Sequence, residues 1–339
     1  MTRRDALLVA ASLAAGLGLA EAGLRLAGFR YAHHPVAMRY AASIAGAGVE
    51  PSLHARRFRV EYRLDRELLW RPVAAPGVTN SEGFLGPEWT GAKTKPRLVA
   101  LGDSCTVAGE TPYPERLRAL LPGWEVWNAG VGSWSSYQGL RLLETRLLAR
   151  RPDAVTVYFG WNDHWLSWSA PDKEFSADLD RRWRRAKALE ASRVAQALLF
   201  ARDRLSGPPG PRRGAPPRVS LEDYGENLRR IVAACRSAGA RPLLLTAPSG
   251  LTPEHPVARA LVEGSRNFDD AERLPAVHES YNAVVRAVAA RSGATLVDLA
   301  ADFDGARDAA ELFTDGIHLS PRGHERAARL IAAAALKKP

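Results

Sequence analysis

A chain of 339 residues, 46% of them hydrophobic, can bury a large core, which excludes an intrinsically disordered protein. Two cysteines, Cys105 and Cys235, are too few for a disulfide-stapled scaffold, and each sits in a helical context that reads as buried packing. The net charge of +10 comes without zinc-ligand spacing, a basic zipper or an RNA-binding aromatic signature, so no nucleic-acid partner is expected. The arginines, dense at Arg181, Arg182, Arg184 and Arg185, read as a solvated basic face; anionic lipid and acidic polysaccharide are the sharper alternatives.

At the N-terminus, Arg3 and Arg4 precede an apolar run over residues 6–20 that Glu21 and Arg25 interrupt. A spanning helix needs about 20 apolar residues. That length is reached if the helix continues through Leu24, Leu26 and Phe29. Residues 1–30 therefore read as a signal anchor, as a cleaved signal peptide with Ala20-Glu21-Ala22 as its small-x-small site, or as a buried helix. Thr2-Arg3-Arg4 also fits a twin-arginine signal loosely. The apolar pattern continues past the cleavage site, which favours the anchor. Either export reading puts the rest of the chain outside the cytoplasm.

Residues 31–95 read as a linker that becomes a cap on the main domain. Glycines, prolines and Trp70 are scattered there among strand-like pieces such as residues 58–62, and 79–84 reads as a turn. The main domain spans 96–339. Residues 97–101, 125–128, 154–159, 242–246 and 295–299 predict five strands. Helices are expected over 115–121, 137–150, 221–238, 276–291 and 321–336. The alternation predicts a five-stranded parallel sheet with helices on both faces, preceded by the N-terminal hydrophobic helix; a flavodoxin-like order would put the first and third strands side by side at a switch point. An insertion at about 164–219 interrupts it, with a charged helical stretch (about 174–205) and a Pro/Gly/Arg-rich loop (206–217). It suits a lid or a substrate-selecting element.

Four short segments carry the chemistry: Gly102-Asp103-Ser104, residues 128–133 beginning at Asn128, Gly160-Trp161-Asn162-Asp163, and Asp315-Gly316-Ile317-His318. Each falls at a strand's C-terminal end or in a late loop, where open α/β sheets bind ligands. Ser104 offers a nucleophile and a backbone N–H aimed by the start of a helix. Asp315 and His318, three apart, can set a carboxylate against an imidazole and leave the second ring nitrogen facing the serine. Asn162 offers a side-chain amide, and the loop with Gly132 and Ser133 offers backbone donors. Cys105 and Thr106 follow the serine, so this is not the Gly-x-Ser-x-Gly elbow. Asp103 reads as a turn residue, and His164 and His324 as structural. Trp134, Trp161 and Trp165 read either as a stacking platform for substrate or as packing of the insertion. No cluster has metal-ligand spacing and no glycine-rich loop opens a helix, so no metal or cofactor is expected.

In this order the segments resemble the SGNH/GDSL hydrolase superfamily over residues 96–335. The resemblance implies a flavodoxin-like three-layer α/β/α fold and metal-free hydrolysis of acyl esters. It makes Ser104 the nucleophile, His318 the general base, Asp315 its orienting acid and Asn162 an oxyanion donor. Aligning Asn128 with the second block puts Ser133 where the family usually has its oxyanion glycine; Gly132 would serve in a shifted register. The N-terminal helix and the stretch 80–86 look like membrane-tethered bacterial members. The expected function is a serine esterase acting on O-acetyl or short acyl esters of a glycan or lipid. O-acyl transfer to cell-envelope carbohydrate and a non-catalytic glycan-binding module are the alternatives.

Overall fold

The computed structural model describes residues 2–31, 62–89, 91–168, 170–177, 181, 184–185, 188–189, 191–205, 211–264 and 266–337. Residues 58–61, Arg182 and the loop segment 206–210 lie outside the described residues. Two compact units are distinguished: Met1–Pro35 with Asp178–Pro209, and Val36–Ala177 with Gly210–Pro339.

In the smaller unit, helix α1 (Arg3–Leu26) begins with a capping box between Thr2 and Asp5, and buries none of its residues. Its 24 residues are long and apolar enough to cross a membrane; at 1.5 Å per residue they span about 36 Å.

In the larger unit, strands β1 (Tyr62–Asp65) and β2 (Leu69–Pro72) pair antiparallel. Five more strands build one parallel sheet: β3 (Arg97–Gly102), β4 (Glu125–Gly130), β5 (Ala154–Tyr158), β6 (Arg241–Leu245) and β7 (Thr295–Val297). Their order is β4-β3-β5-β6-β7. This is the flavodoxin-like order expected from the sequence, with β3 and β5 side by side at the switch point. Every residue of β3 and β5 is buried, as a sheet covered on both faces requires.

A single helical turn, α2 (Ser104–Val107), follows β3, and α3 (Tyr113–Leu120) comes after it. Helix α4 (Ser136–Leu142) leads into a π turn (Leu143–Leu147) and a 3-10 turn (Leu148–Arg150) in place of the uniform helix expected over 137–150. Leu140, Leu143 and Leu147 stay buried across the change, so the apolar stripe survives the altered winding. Within the insertion, α5 (Asp172–Ala177) belongs to the larger unit and α6 (Arg193–Leu205) to the smaller. Helices α7 (Leu221–Ser237), α8 (Leu274–Ser292) and α9 (Pro321–Leu336) complete the fold. Helices α3 and α9 pack together beside β4 and β7, while α4, α7 and α8 form the second layer against β3, β6 and β7.

Residues 62–89 pack on the sheet's β4 edge. Phe84 stacks on Trp89 and Trp89 on Trp127 of β4, at centroid distances of 4.4 and 5.2 Å. Asn80 organises the turn beneath them: its Oδ1 accepts the N–H groups of Glu82 and Phe84. Trp134 Nε1 donates to the Trp70 carbonyl and Gln138 Nε2 to that of Leu68, so the β1–β2 hairpin is pinned to the loop after β4.

Candidate active site

Strand β3 ends where it must turn sharply. A Cβ on Gly102 would lie 2.1 Å from Thr106 Oγ1 and 2.6 Å from the Tyr158 carbonyl oxygen, so only glycine fits there. Asp103 caps the turn that follows: its Oδ1 accepts the Cys105 N–H at 2.9 Å. Ser104 is left half-buried at the first helical position. A one-turn helix has little macrodipole, so the expected help from a helix N-terminus reduces here to the Ser104 N–H itself. Cys105 is buried, and burial raises its thiol well above the ordinary range; Cys235 is pushed up to about 12 for the same reason. Neither is a reactive thiolate.

The late turn brings the acid and the base together. Asp315 Oδ1 accepts the backbone N–H groups of Ile317 and His318 at 3.0 and 2.7 Å. Thr314 N–H donates to the His318 carbonyl, closing the turn. Gly316 takes φ +82, and a Cβ there would also strike Leu251 at 2.3 Å. His318 Nδ1 lies 2.7 Å from Asp315 Oδ2, and Nε2 lies 2.9 Å from Ser104 Oγ. With Nδ1–H donating to the carboxylate, Nε2 is the ring's free acceptor for the serine hydroxyl. Burial opposes the charged ring, but the Asp315 charge and hydrogen bond outweigh it and raise His318 above its ordinary 6.5. Burial likewise works to raise Asp315, yet the His318 charge and the three N–H donors bring it down to about 2.

Asn162, on the loop after β5, is buried beside this turn, and its Nδ2 donates to Asp103 Oδ2 at 3.0 Å. Its second Nδ2 hydrogen has no acceptor among the described residues. Burial pushes the Asp103 carboxyl up to about 6, against the Cys105 N–H, the His318 charge and the Asn162 amide, which lower it. Asp163 ties the same loop to α4 by accepting from Ser136 N and Gly160 N at 2.9 and 3.1 Å. On the loop after β4, Ser133 takes φ +64 and is buried. The N–H groups of Gly132 and Ser133 also have no acceptor among the described residues. The left-handed conformation is thus present at Ser133, where the sequence has no glycine.

The tryptophans are packing residues by placement. Trp134, Trp161 and Trp165 are 0%, 1% and 2% exposed, and the Trp161 ring stacks on His278 at 3.9 Å. His164 Nε2 and His278 Nδ1 are 3.1 Å apart, and His278 Nε2 donates to the Ala247 carbonyl at 2.7 Å. Burial keeps both rings neutral, with His278 brought down to about 4. His324 is buried too, its Nδ1 accepting the Tyr113 N–H where α9 meets α3. Sequence reading passed over Arg218 and Asp172, a buried pair from the insertion that contacts the Ser133 loop. Their partners lie 46 and 85 residues apart, so no local spacing announces them.

A hydroxyl, an imidazole and a carboxylate in relay, beside three unengaged N–H donors, can transfer an acyl group. The profile of the GDSL-like lipase/acylhydrolase family matches residues 100–326. The chain belongs to this family. It is accordingly a hydrolase of carboxylic esters. A lipase/acylhydrolase from Enterococcus faecalis is 18% identical, with a TM-score of 0.45 over 72% of this chain and 98% of its own. An α/β hydrolase from the metagenome of Lake Arreo, Spain, is 20% identical, with a TM-score of 0.46 over 73% and 96%. An acetylxylan esterase from Geobacillus stearothermophilus is 20% identical, with a TM-score of 0.45 over 72% and 95%. None of the curated proteins compared matches the chain.

Proposed function

We propose that this GDSL-family enzyme hydrolyses short acyl esters through an acyl-enzyme on Ser104, with His318 as general base and Asp315 holding the imidazole. The unbroken relay from Ser104 Oγ through His318 to Asp315, at 2.9 and 2.7 Å, carries the reading. Ser104 Oγ attacks the ester carbonyl as its proton passes to His318 Nε2. The imidazolium, balanced by Asp315, returns that proton to the departing alcohol. Water then attacks the acyl-enzyme, giving its proton to His318, which passes it back to Ser104 as the acid leaves. The N–H groups of Ser104 and Ser133 and the Asn162 amide donate to the oxyanion in both halves. The left-handed backbone of Ser133 supports it over Gly132. Short acyl groups are favoured by Tyr62, whose hydroxyl is 3.4 Å from where a Cβ on Gly132 would be, so β1 narrows the space beside this loop.

The enzyme acts outside the cytoplasm, held by an uncleaved α1, on acyl groups carried by an envelope glycan or lipid. Retention of α1 is supported by what its C-terminal half does. The Glu21 carboxylate accepts from Ser192 Oγ, Arg193 N and Val194 N, capping α6. Tyr31 N–H donates to Gln196 Oε1, and Phe29 and Tyr31 meet Phe200 edge to face. Cleavage at residues 20–22 would remove the cap.

The test is hydrolysis of p-nitrophenyl acetate, butyrate and octanoate by the full chain, beside Ser104→Ala, with N-terminal mass analysis of the membrane fraction. Expected are a preference for the short esters, a loss on the order of 10⁴-fold or more in the variant, and an intact N-terminus. Undiminished hydrolysis by Ser104→Ala overturns the site, and a chain beginning near Ala22 overturns the anchor.

A further inference from the structure

The loop after β4 holds a contradiction that the insertion resolves. Ser133 stands in the left-handed region, at φ +64, without being glycine. Such a residue persists only where its surroundings over-determine it. The surroundings here are Arg218, which is 0% exposed. Its Nη1 donates to the Ser133 carbonyl at 2.7 Å. Its Nε and Nη2 reach the two oxygens of Asp172 at 3.3 and 3.0 Å, and Nη2 also reaches Gln138 Oε1 at 3.0 Å.

Asp172 and Gln138 are held in turn. Asp172 Oδ2 accepts from Ser135 Oγ at 2.6 Å, and Gln138 Oε1 accepts from Ser135 N at 3.1 Å. The backbone N–H of Asp172 donates to the Arg218 carbonyl, and that of Arg218 to the Trp165 carbonyl. The guanidinium is therefore fixed by the insertion at one end and by the cap of α4 at the other. A planar fork with several donors in fixed directions can do this; a flexible ammonium cannot.

We propose that Arg218 is a positioning residue for ester hydrolysis. By holding the Ser133 carbonyl it keeps Ser133 left-handed, and so keeps the Ser133 N–H turned towards the oxyanion. The insertion is thus part of the catalytic apparatus: Asp172 orients Arg218, and Arg218 orients the loop. A serine there needs this hold, because its Cβ disfavours the conformation, whereas glycine adopts it without penalty. The inference rests on Ser133 being an oxyanion donor in the reading above.

The experiment is a double-mutant cycle in the full chain, with Arg218→Lys and Ser133→Gly alone and combined, measured on p-nitrophenyl acetate. Lysine keeps a cation beside Asp172, so the fold is spared an unpaired buried carboxylate, and thermal melting checks this. Arg218→Lys is expected to lower kcat by more than about tenfold with KM changed less than about threefold, the mark of a donor that matters in the transition state. In the Ser133→Gly background the same change should cost at least about fivefold less, because glycine no longer needs to be forced. An equal loss in both backgrounds, or wild-type kcat in folded Arg218→Lys, overturns the proposal. Ser104→Ala separates this failure from failure of the esterase site. If that variant is inactive while the cycle is additive, the site stands and Arg218 has no role through Ser133.

Discussion

The ends of the strands and the insertion make opposite use of the chain. At the strand ends several turns are set by neighbours two or three residues away: Asp103 caps Cys105, Asn128 Oδ1 accepts from Gly130 N, and Asp315 holds His318. In the insertion, Asp172 and Arg218 are held by residues 37 to 85 positions away, and a charge pair with no solvent replaces the local turn. Local turns make a site whose parts can be edited singly with little effect on folding. A buried ion pair makes a support whose loss is felt by the fold as well as the rate.

The contrast can be broken most decisively at Asp315. Asp315→Asn should lower kcat on the order of 10⁴-fold on p-nitrophenyl acetate, by stabilising the wrong imidazole tautomer, while the melting temperature at pH 8 changes little. Asp172→Ala should lower both the rate and the stability. It removes the carboxylate that balances the buried Arg218 charge, and a loss of about 3–5 kcal/mol in denaturant unfolding is expected. If Asp172→Ala proves as stable as the wild type, the insertion is not the support described here. Asn162→Ala should cost about 2.7–4 kcal/mol of barrier, read from kcat, because in the proposed mechanism it removes one oxyanion donor. A normal kcat in that variant would leave the oxyanion to backbone groups alone.

The smallest effects are those of pH. In the proposed mechanism His318 must be neutral to accept the Ser104 proton, so kcat/KM should rise with pH through an apparent value above 6.5, and Asp315→Asn should move that limb down. Stability follows the same pair. Asp315 falls from 3.8 to about 2, worth about 2 kcal/mol that is present above pH 3.8 and lost as pH falls through about 2. His318 is raised, so its share of the same interaction is present below pH 6.5 and lost as pH climbs through its higher folded value. The melting-temperature gap between wild type and Asp315→Asn should therefore be widest between about pH 4 and 6.5 and close on either side. A gap independent of pH would mean that the pair is not charged in the folded state.

Much of this was legible beforehand because it is local. Five short apolar runs such as residues 97–101 read as strands, and the observed bounds differ from the expected ones by one or two residues. The Asp315–His318 contact follows from a three-residue spacing on one turn. Besides the Arg218–Asp172 pair, two things were not legible. The even leucine spacing over 137–150 reads as one helix, but a π turn and a 3-10 turn carry the same stripe. The tryptophans read as packing slightly more than as platform, although an indole's sequence neighbours do not reveal whether its face is covered; in the structure Trp134, Trp161 and Trp165 are buried.

By itself the sequence determined the strands, the sharp turns and the groups proposed to react, since these depend on side-chain period, on glycine at Gly102 and Gly316, and on hydrogen bonds within a few residues. Only the tertiary structure decided that Ser104 and His318, 214 residues apart, come to 2.9 Å, and that Arg218 grips the carbonyl of Ser133. Such contacts depend on how crossovers stack strand ends and on which polar groups are left to satisfy one another once water is excluded.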